Sequence, residues 1–234
     1  MNSQFVQTIL LLFVPSIMVA QPASINMGIY SRSAVSVWSS GEITLPSPDG
    51  KSVIFVRPPR NPDSDETHHV TVHSNGHVFK TEIGSMVNAE VAWSPDSKVF
   101  FITYSDGGNV GTYHVKIVYV TGSGLRVVEP IINGRKLFAP KCFDPEIPNI
   151  GAIKWVGSNS ERLLIAIEVP GHSSCASMGT FRAFEIILPS GKVVRQYDQI
   201  TAKKLFAVDL GEELSSADDD CIRKPQMCIP PGLK

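Results

Sequence analysis

From about residue 43 to residue 198 the chain alternates short apolar runs with polar turns. The runs include SVIFV (52–56), HHVTVH (68–73), VFFITY (99–104), HVKIVYV (114–120), LLIAIEV (163–169) and TFRAFEIIL (180–188). They are rich in β-branched and aromatic residues, which suit a pleated, packed surface. Several are apolar at nearly every position, which predicts strands covered on both faces. The turns between them carry their own chemistry. Asn75-Gly76 sits between two such runs and predicts a tight hairpin, as do TGSG (121–124) and PSGK (189–192).

One turn recurs. Ser47-Pro48-Asp49-Gly50-Lys51 matches Ser94-Pro95-Asp96-Ser97-Lys98, and Pro48 and Pro95 are 47 residues apart. Proline presets the backbone for the first central position of a type I turn, aspartate favours the next, and a small residue closes it. A degraded third copy, IKWVGSNSERLLIAIEVP (153–170), has Trp155 in the place of Trp93 and a longer turn without proline. Recurrence at equivalent positions predicts core packing for Trp93 and Trp155, and a scaffold role for Pro48, Asp49, Pro95 and Asp96. Trp38 fits no repeat position. Each copy is followed by two more strand-like runs, so the pattern is four strands, three times, with a step near fifty residues. Periods of this size indicate propeller blades.

AWSPDSK and LPSPDGK resemble the WD-like propeller repeats of TolB and of the propeller domains of prolyl-oligopeptidase-type peptidases, over roughly residues 35–200. The resemblance implies an all-β fold, a propeller-like array of about three four-stranded blades. It implies no activity, because the chain has no room for the hydrolase domain of the peptidases and no counterpart of TolB's N-terminal domain. Propellers close with about four to eight blades, so three predict an incomplete or open propeller. Three arrangements fit: an arc capped by the terminal segments, a ring completed by association of chains, or added strands from residues 25–40. A β-sandwich of the same strands is the competing architecture. The expected layout is a signal peptide over 1–20, a repeat domain over 25–200 with blades at about 35–85, 88–133 and 150–200, and a C-terminal extension over 201–234. Within that extension, KLFAVDL reads equally as helix or strand.

In a four-stranded antiparallel blade, the first and third turns share one face, and the second loop and the interblade connection share the other. The long loops 57–68, 104–113 and 170–180 and the linker 138–151 therefore gather on one face. Asp63, Asp65, Asp106, Asn109 and His172 are the candidate partner-contacting residues there. Cys142 and Cys175 fall on the same face and are expected to pair, leaving Cys221 and Cys228 to close a short loop in the extension. Four cysteines without a C-x-x-C spacing read as disulfides rather than as a zinc site.

Composition adds a compartment. An apolar run ends at Ala20 after an early Pro15, shorter than a membrane span and followed by small residues. Cleavage is expected after Ala20, with Ala23 as second choice, and a secreted or periplasmic location follows. A net charge of -1 with 18% charged residues gives no electrostatic reason to expect nucleic acid. No membrane span is expected once the leader is removed.

Sites of chemistry are weak. His69 and His73 share a strand face, whereas His77 lies opposite, so no three-ligand zinc set forms. NPDSDE (61–66) lacks the calcium-loop pattern, and SADDDC (216–221) reads as a solvated charge run. GHSSCASMG (171–179) has no nucleophile elbow. No catalytic residue, cofactor or metal is expected. The reading is a secreted or periplasmic binding module for an unknown protein or peptide, using the long-loop face. The alternatives are a propeller-based hydrolase or lyase with its site on that face, and a structural subunit completing a ring by self-association. Convergent acidic or histidine side chains with shifted titration would mark the hydrolase or lyase.

Overall fold

The computed structural model describes residues 28–38, 42–57, 69–82, 88–105, 107, 111–130, 132, 137, 147–170 and 177–223. The expected leader, its cleavage site, and Asp63, Asp65, Asp106, Asn109 and His172 lie outside these residues. So do Cys142, Cys175, Cys228 and the side chain of Cys221, and with them both expected disulfides.

The described strands form three antiparallel sheets. The first contains β2 (Ile43–Pro46), β3 (Ser52–Arg57), β4 (His69–Ser74) and β5 (His77–Glu82), in that order. The second runs β6 (Asn88–Trp93), β7 (Val99–Ser105), β8 (Tyr113–Thr121) and β9 (Gly124–Val128). The third runs β10 (Asn149–Trp155), β11 (Arg162–Glu168), β12 (Phe181–Ile187) and β13 (Lys192–Asp198). Each is a blade-like meander, and the fold is all-β and propeller-like. A further strand, β1 (Val35–Trp38), pairs antiparallel with β6 and makes the second sheet five-stranded. The expected first blade, about 35–85, therefore begins at Ile43, and Trp38 belongs to the second sheet, opposite Asn88.

Three apolar layers hold the sheets together. Ile54, Val56, Val70 and Val72 of the first sheet pack with Val91, Trp93, Phe100 and Ile102 of the second. Ala92, Val99, Phe101 and Ile117 on the other side of the second sheet pack with Trp155, Leu163, Ile165 and Phe184 of the third. The residues of β7 are buried throughout, as its apolar run predicts, and those of β6 are buried too, Asn88 and Glu90 included.

The outer face of the third sheet is covered by the C-terminal region. Residues Gln199–Leu205 form helix α1, capped by Asp198, whose carboxylate accepts from Thr201 N at 2.7 Å. Glu212–Ser216 form α2 and Asp220–Arg223 form α3. Ala202, Leu210, Leu214 and Ala217 pack with Ile153, Leu164, Phe181 and Ala183 of the sheet, and with Tyr30. In the ambiguous KLFAVDL segment, Lys204 and Leu205 close α1, residues 206–209 turn, and Leu210 makes an isolated bridge to Ser31. The SADDDC run is not simply solvated: Gln199 Nε2 donates to Asp218 O and to Asp219 Oδ1, both at 2.8 Å, and Lys203 pairs with Asp219.

Candidate functional site

The repeated turn builds the same network twice. Ser47 Oγ donates to Asp49 Oδ1 at 2.7 Å, and Ser94 Oγ to Asp96 Oδ1 at 2.7 Å. Gly50 N donates to Ser47 O, and Ser97 N to Ser94 O. Gly50 and Ser97 occupy the left-handed region, at φ 69 and 59. Hydrogen bonds to each aspartate hold its carboxyl below the usual range, against partial burial at Asp96. Asp49 and Asp96 therefore accept the hydrogen bonds that close the two turns.

These turns also join neighbouring blades. Asp49 N donates to Ser97 Oγ at 3.0 Å, and Ser160 Oγ donates to Asp96 Oδ2 at 3.1 Å. Trp93 Nε1 donates to Leu45 O at 3.1 Å, and Trp155 Nε1 to Ala92 O at 3.4 Å. Leu45 and Ala92 are equivalent, each two residues before the turn serine. The tryptophans pack in the core as expected, and in addition each clamps its blade to the preceding one.

The opposite ends of the inner strands hold a buried polar cluster that sequence reasoning missed. β10 contains one extra residue between Ala152 and Lys154. Allowing for it, Asn149 is the counterpart of Asn88, and Gly151 the counterpart of Glu90. Asn88 Nδ2 donates to Tyr113 Oη at 3.3 Å, Tyr113 N to Asn149 Oδ1 at 3.1 Å, and Asn149 Nδ2 to Glu168 Oε2 at 3.4 Å. Glu90 and Glu168 are 0% and 1% exposed.

The chain fills this site with its own segment. Tyr30 N and Ser31 N donate to the two oxygens of Glu90, at 2.6 and 3.0 Å. Tyr30 Oη donates to Glu168 Oε2 at 2.5 Å. The Tyr30 ring lies over Gly151, where a Cβ would overlap ring carbons, and meets the Tyr113 ring edge-on at 5.1 Å. Backbone bonds from Gly211 N to Tyr30 O and from Glu213 N to Ile29 O tie the same segment to the start of α2. Gly211 packs against the backbone of Gly28 and Ile29 with no room for a Cβ.

Burial dominates the electrostatics. It lifts both Glu90 and Glu168 to about 8, although the amides donating to Glu90 and the Tyr30 hydroxyl donating to Glu168 pull the other way. The neighbouring Glu213 carboxyl raises Glu168 further. Glu168 Oε1 has no donor among the described residues. Burial and the neighbouring Glu168 push Tyr30 well above the usual tyrosine range.

Chemically, this is a proton-holding carboxyl cluster closed to solvent. Two signals in the sequence pointed to it: Asn88 and Asn149 recur before the repeat tryptophans, and Glu90 and Glu168 interrupt apolar runs. The histidines sit elsewhere. His73 meets the Phe55 ring at a tilt, 4.6 Å between centroids, and His77 stacks on Phe79 at 6.0 Å, on opposite faces of the hairpin. Among the described residues no group of three His, Cys, Asp or Glu is placed to hold a metal ion, and no helix is long and apolar enough to cross a membrane.

No protein-family model matches the chain, and no curated protein does. Among solved structures it is similar to TolB from Acinetobacter baumannii, at 15% identity and a TM-score of 0.36, over 66% of this chain and 32% of that one. It is also similar to a structure assigned as TolB from Agrobacterium tumefaciens, at 15% identity and a TM-score of 0.38, over 68% of this chain and 50% of that one. The chain thus spans a third to a half of the length of these structures. At such TM-scores the likeness adds no weight, and the propeller-like architecture rests on the three sheets and the clamps between them.

Proposed function

We propose that the chain is an exported, non-catalytic binding module that recognises a protein or peptide through its long-loop face. The observation that carries the reading is the occupation of the inner-strand ends by Tyr30. The acidic groups that converge there with raised pKa values are the feature expected of a propeller-based hydrolase or lyase. Their oxygens instead accept from backbone amides and a tyrosine of the same chain, and both carboxyls are buried. A substrate would have to displace a docked segment to reach them. That arrangement favours a structural use of the carboxyls and leaves recognition to surface loops.

Self-association into a ring is disfavoured at both ends of the array. Pro46 stands where the second blade has Trp93, and Gly50 stands where it has Ser97. The first blade therefore lacks both side chains that grip a preceding blade. The outer face of the third blade is already covered by α1, α2 and Tyr30.

Site-specific photocrosslinkers test the binding reading. Probes at Asp106 or His172, positions expected from the sequence on the loop face, should capture a partner that probes at Lys51 or Lys98 in the repeated turns do not. Equal capture from both faces contradicts the reading, and so does turnover of a glycan or peptide library that Glu168→Gln abolishes.

A further inference from the structure

We propose that Glu168, Tyr30 and Glu213 form a proton-operated clasp, which fastens the Gly28–Ala34 segment and α2 to the third blade while Glu168 is protonated and releases them when it ionises.

The geometry sets three elements against one carboxyl. Glu168, at the end of β11, accepts from Tyr30 Oη through one oxygen. Its other oxygen has no donor among the described residues, and the Glu213 carboxyl of α2 is a neighbouring acidic group that acts on Glu168. A proton on Glu168 satisfies that oxygen by donation to Glu213. Without the proton, a buried carboxylate at Glu168 faces the Glu213 carboxyl on the exposed side of α2, and like charges repel. The titratable groups around Glu168 are Tyr30, Tyr113, Glu90 and Glu213. Each is neutral or negative, so none offsets a charge on Glu168.

The clasp is also a mechanical junction. Residues 28–31 touch β6 through Glu90, β11 through Tyr30 and the start of α2 through backbone bonds at Gly211, Glu212 and Glu213. Losing the Tyr30–Glu168 contact therefore loosens both segments together. Release exposes Ile153, Leu164 and Phe181 on the third blade, all of them buried when the clasp is closed. The burial that lifts Glu168 and Glu90 to about 8 places the change near neutral to mildly alkaline pH. In an exported protein, the surrounding pH would then control access to this apolar face.

Amide hydrogen exchange of the full chain from pH 5.5 to 9, corrected for intrinsic exchange rates, tests the clasp. In the wild type, segments 28–34 and 211–217 should lose protection together as pH rises. Between about pH 5 and 8 the opening equilibrium should rise roughly tenfold per pH unit for each proton released, with two released, from Glu168 and Glu90. Glu168→Gln can still accept from Tyr30 and donates an amide to Glu213, so it mimics the protonated clasp. It should cut the pH dependence to about one proton and keep both segments protected to higher pH, the opposite of a generally disruptive substitution. Glu213→Gln, on the exposed helix, should act in the same direction and serves if the Glu168 variant does not fold. Protection independent of pH in the wild type, or an unchanged pH dependence in the foldable variants, overturns the proposal.

Discussion

Trp93 Nε1 donates to the main-chain oxygen of Leu45 across the boundary between the first and second blades. Trp155 makes the same bond to Ala92 one blade further on. The array is thus held by a directional clamp that repeats, as well as by apolar burial. Trp93→Phe should keep much of the ring packing against Phe100 while leaving Leu45 O without its donor. The expected loss is about 1–3 kcal/mol, read from chemical denaturation. Trp93→Ala should cost more, about 3–5 kcal/mol, because it also leaves a cavity. A negligible loss for Trp93→Phe beside a large one for Trp93→Ala would assign Trp93 to packing alone.

Asp96 links its own turn to the next blade by accepting from Ser94, Lys98 N and Ser160. Asp96→Asn keeps the shape but weakens the acceptor, and should cost about 1 kcal/mol. Ser160→Ala should cost less in the wild type and almost nothing in the Asp96→Asn background. A double-mutant cycle by thermal denaturation checks this coupling, and additive losses would remove the interblade role of Ser160.

Gly151 marks the seat of the Tyr30 ring. Gly151→Ala should expel the ring or strain the strand, at about 1–3 kcal/mol, and Tyr30→Ala should then relieve part of the clash. Gly76, in the Asn75-Gly76 turn, has open space where a Cβ would go, so its cost is conformational only, at φ 78. Partial rescue of Gly151→Ala by Tyr30→Ala, measured as a change in Tm, is the expected signature. The absence of rescue would mean that the ring does not sit there.

The carboxyls make stability depend on pH in two opposite ways. Glu90 and Glu168 are raised when folded, so their contribution is fully present below the ordinary glutamate range and is lost as pH climbs to about 8. Across that window the folded chain holds more protons than the unfolded one, and stability falls by up to about 1.4 kcal/mol per pH unit per group. Asp49, Asp96, Asp198 and Asp219 are lowered when folded, so their contribution is lost as pH falls below the ordinary aspartate range. Denaturation midpoints should therefore peak on the acid side of neutrality, near pH 5, and decline toward pH 8. A maximum at pH 8 would contradict the burial of both glutamates.

The blades were legible in the sequence because each strand declares itself locally. SVIFV and VFFITY are β-branched and aromatic, and the Ser-Pro-Asp and Asn-Gly turns carry their own local signals. The polar cluster was not legible as a site, since its parts are distant in sequence. Tyr30 is 60 residues from Glu90 and 138 from Glu168, and each bond is long-range. The indole clamps were hidden for a related reason: their acceptors are main-chain oxygens, which carry no residue signature. The KLFAVDL segment was ambiguous because its apolar residues suit either element. The Asp198 cap and the burial of Ala202 and Leu210 against the third blade favour the helix.

The bond between Tyr30 and Glu168 is the point on which the account turns, because it converts a possible acid–base centre into a filled one. A double-mutant cycle of Tyr30→Phe and Glu168→Leu at pH 6, in which leucine removes the acceptor, measures it directly by denaturant unfolding. The account predicts a coupling of at least about 1 kcal/mol, beyond the few tenths found between independent sites. A coupling near zero, with the two losses simply adding, would contradict it.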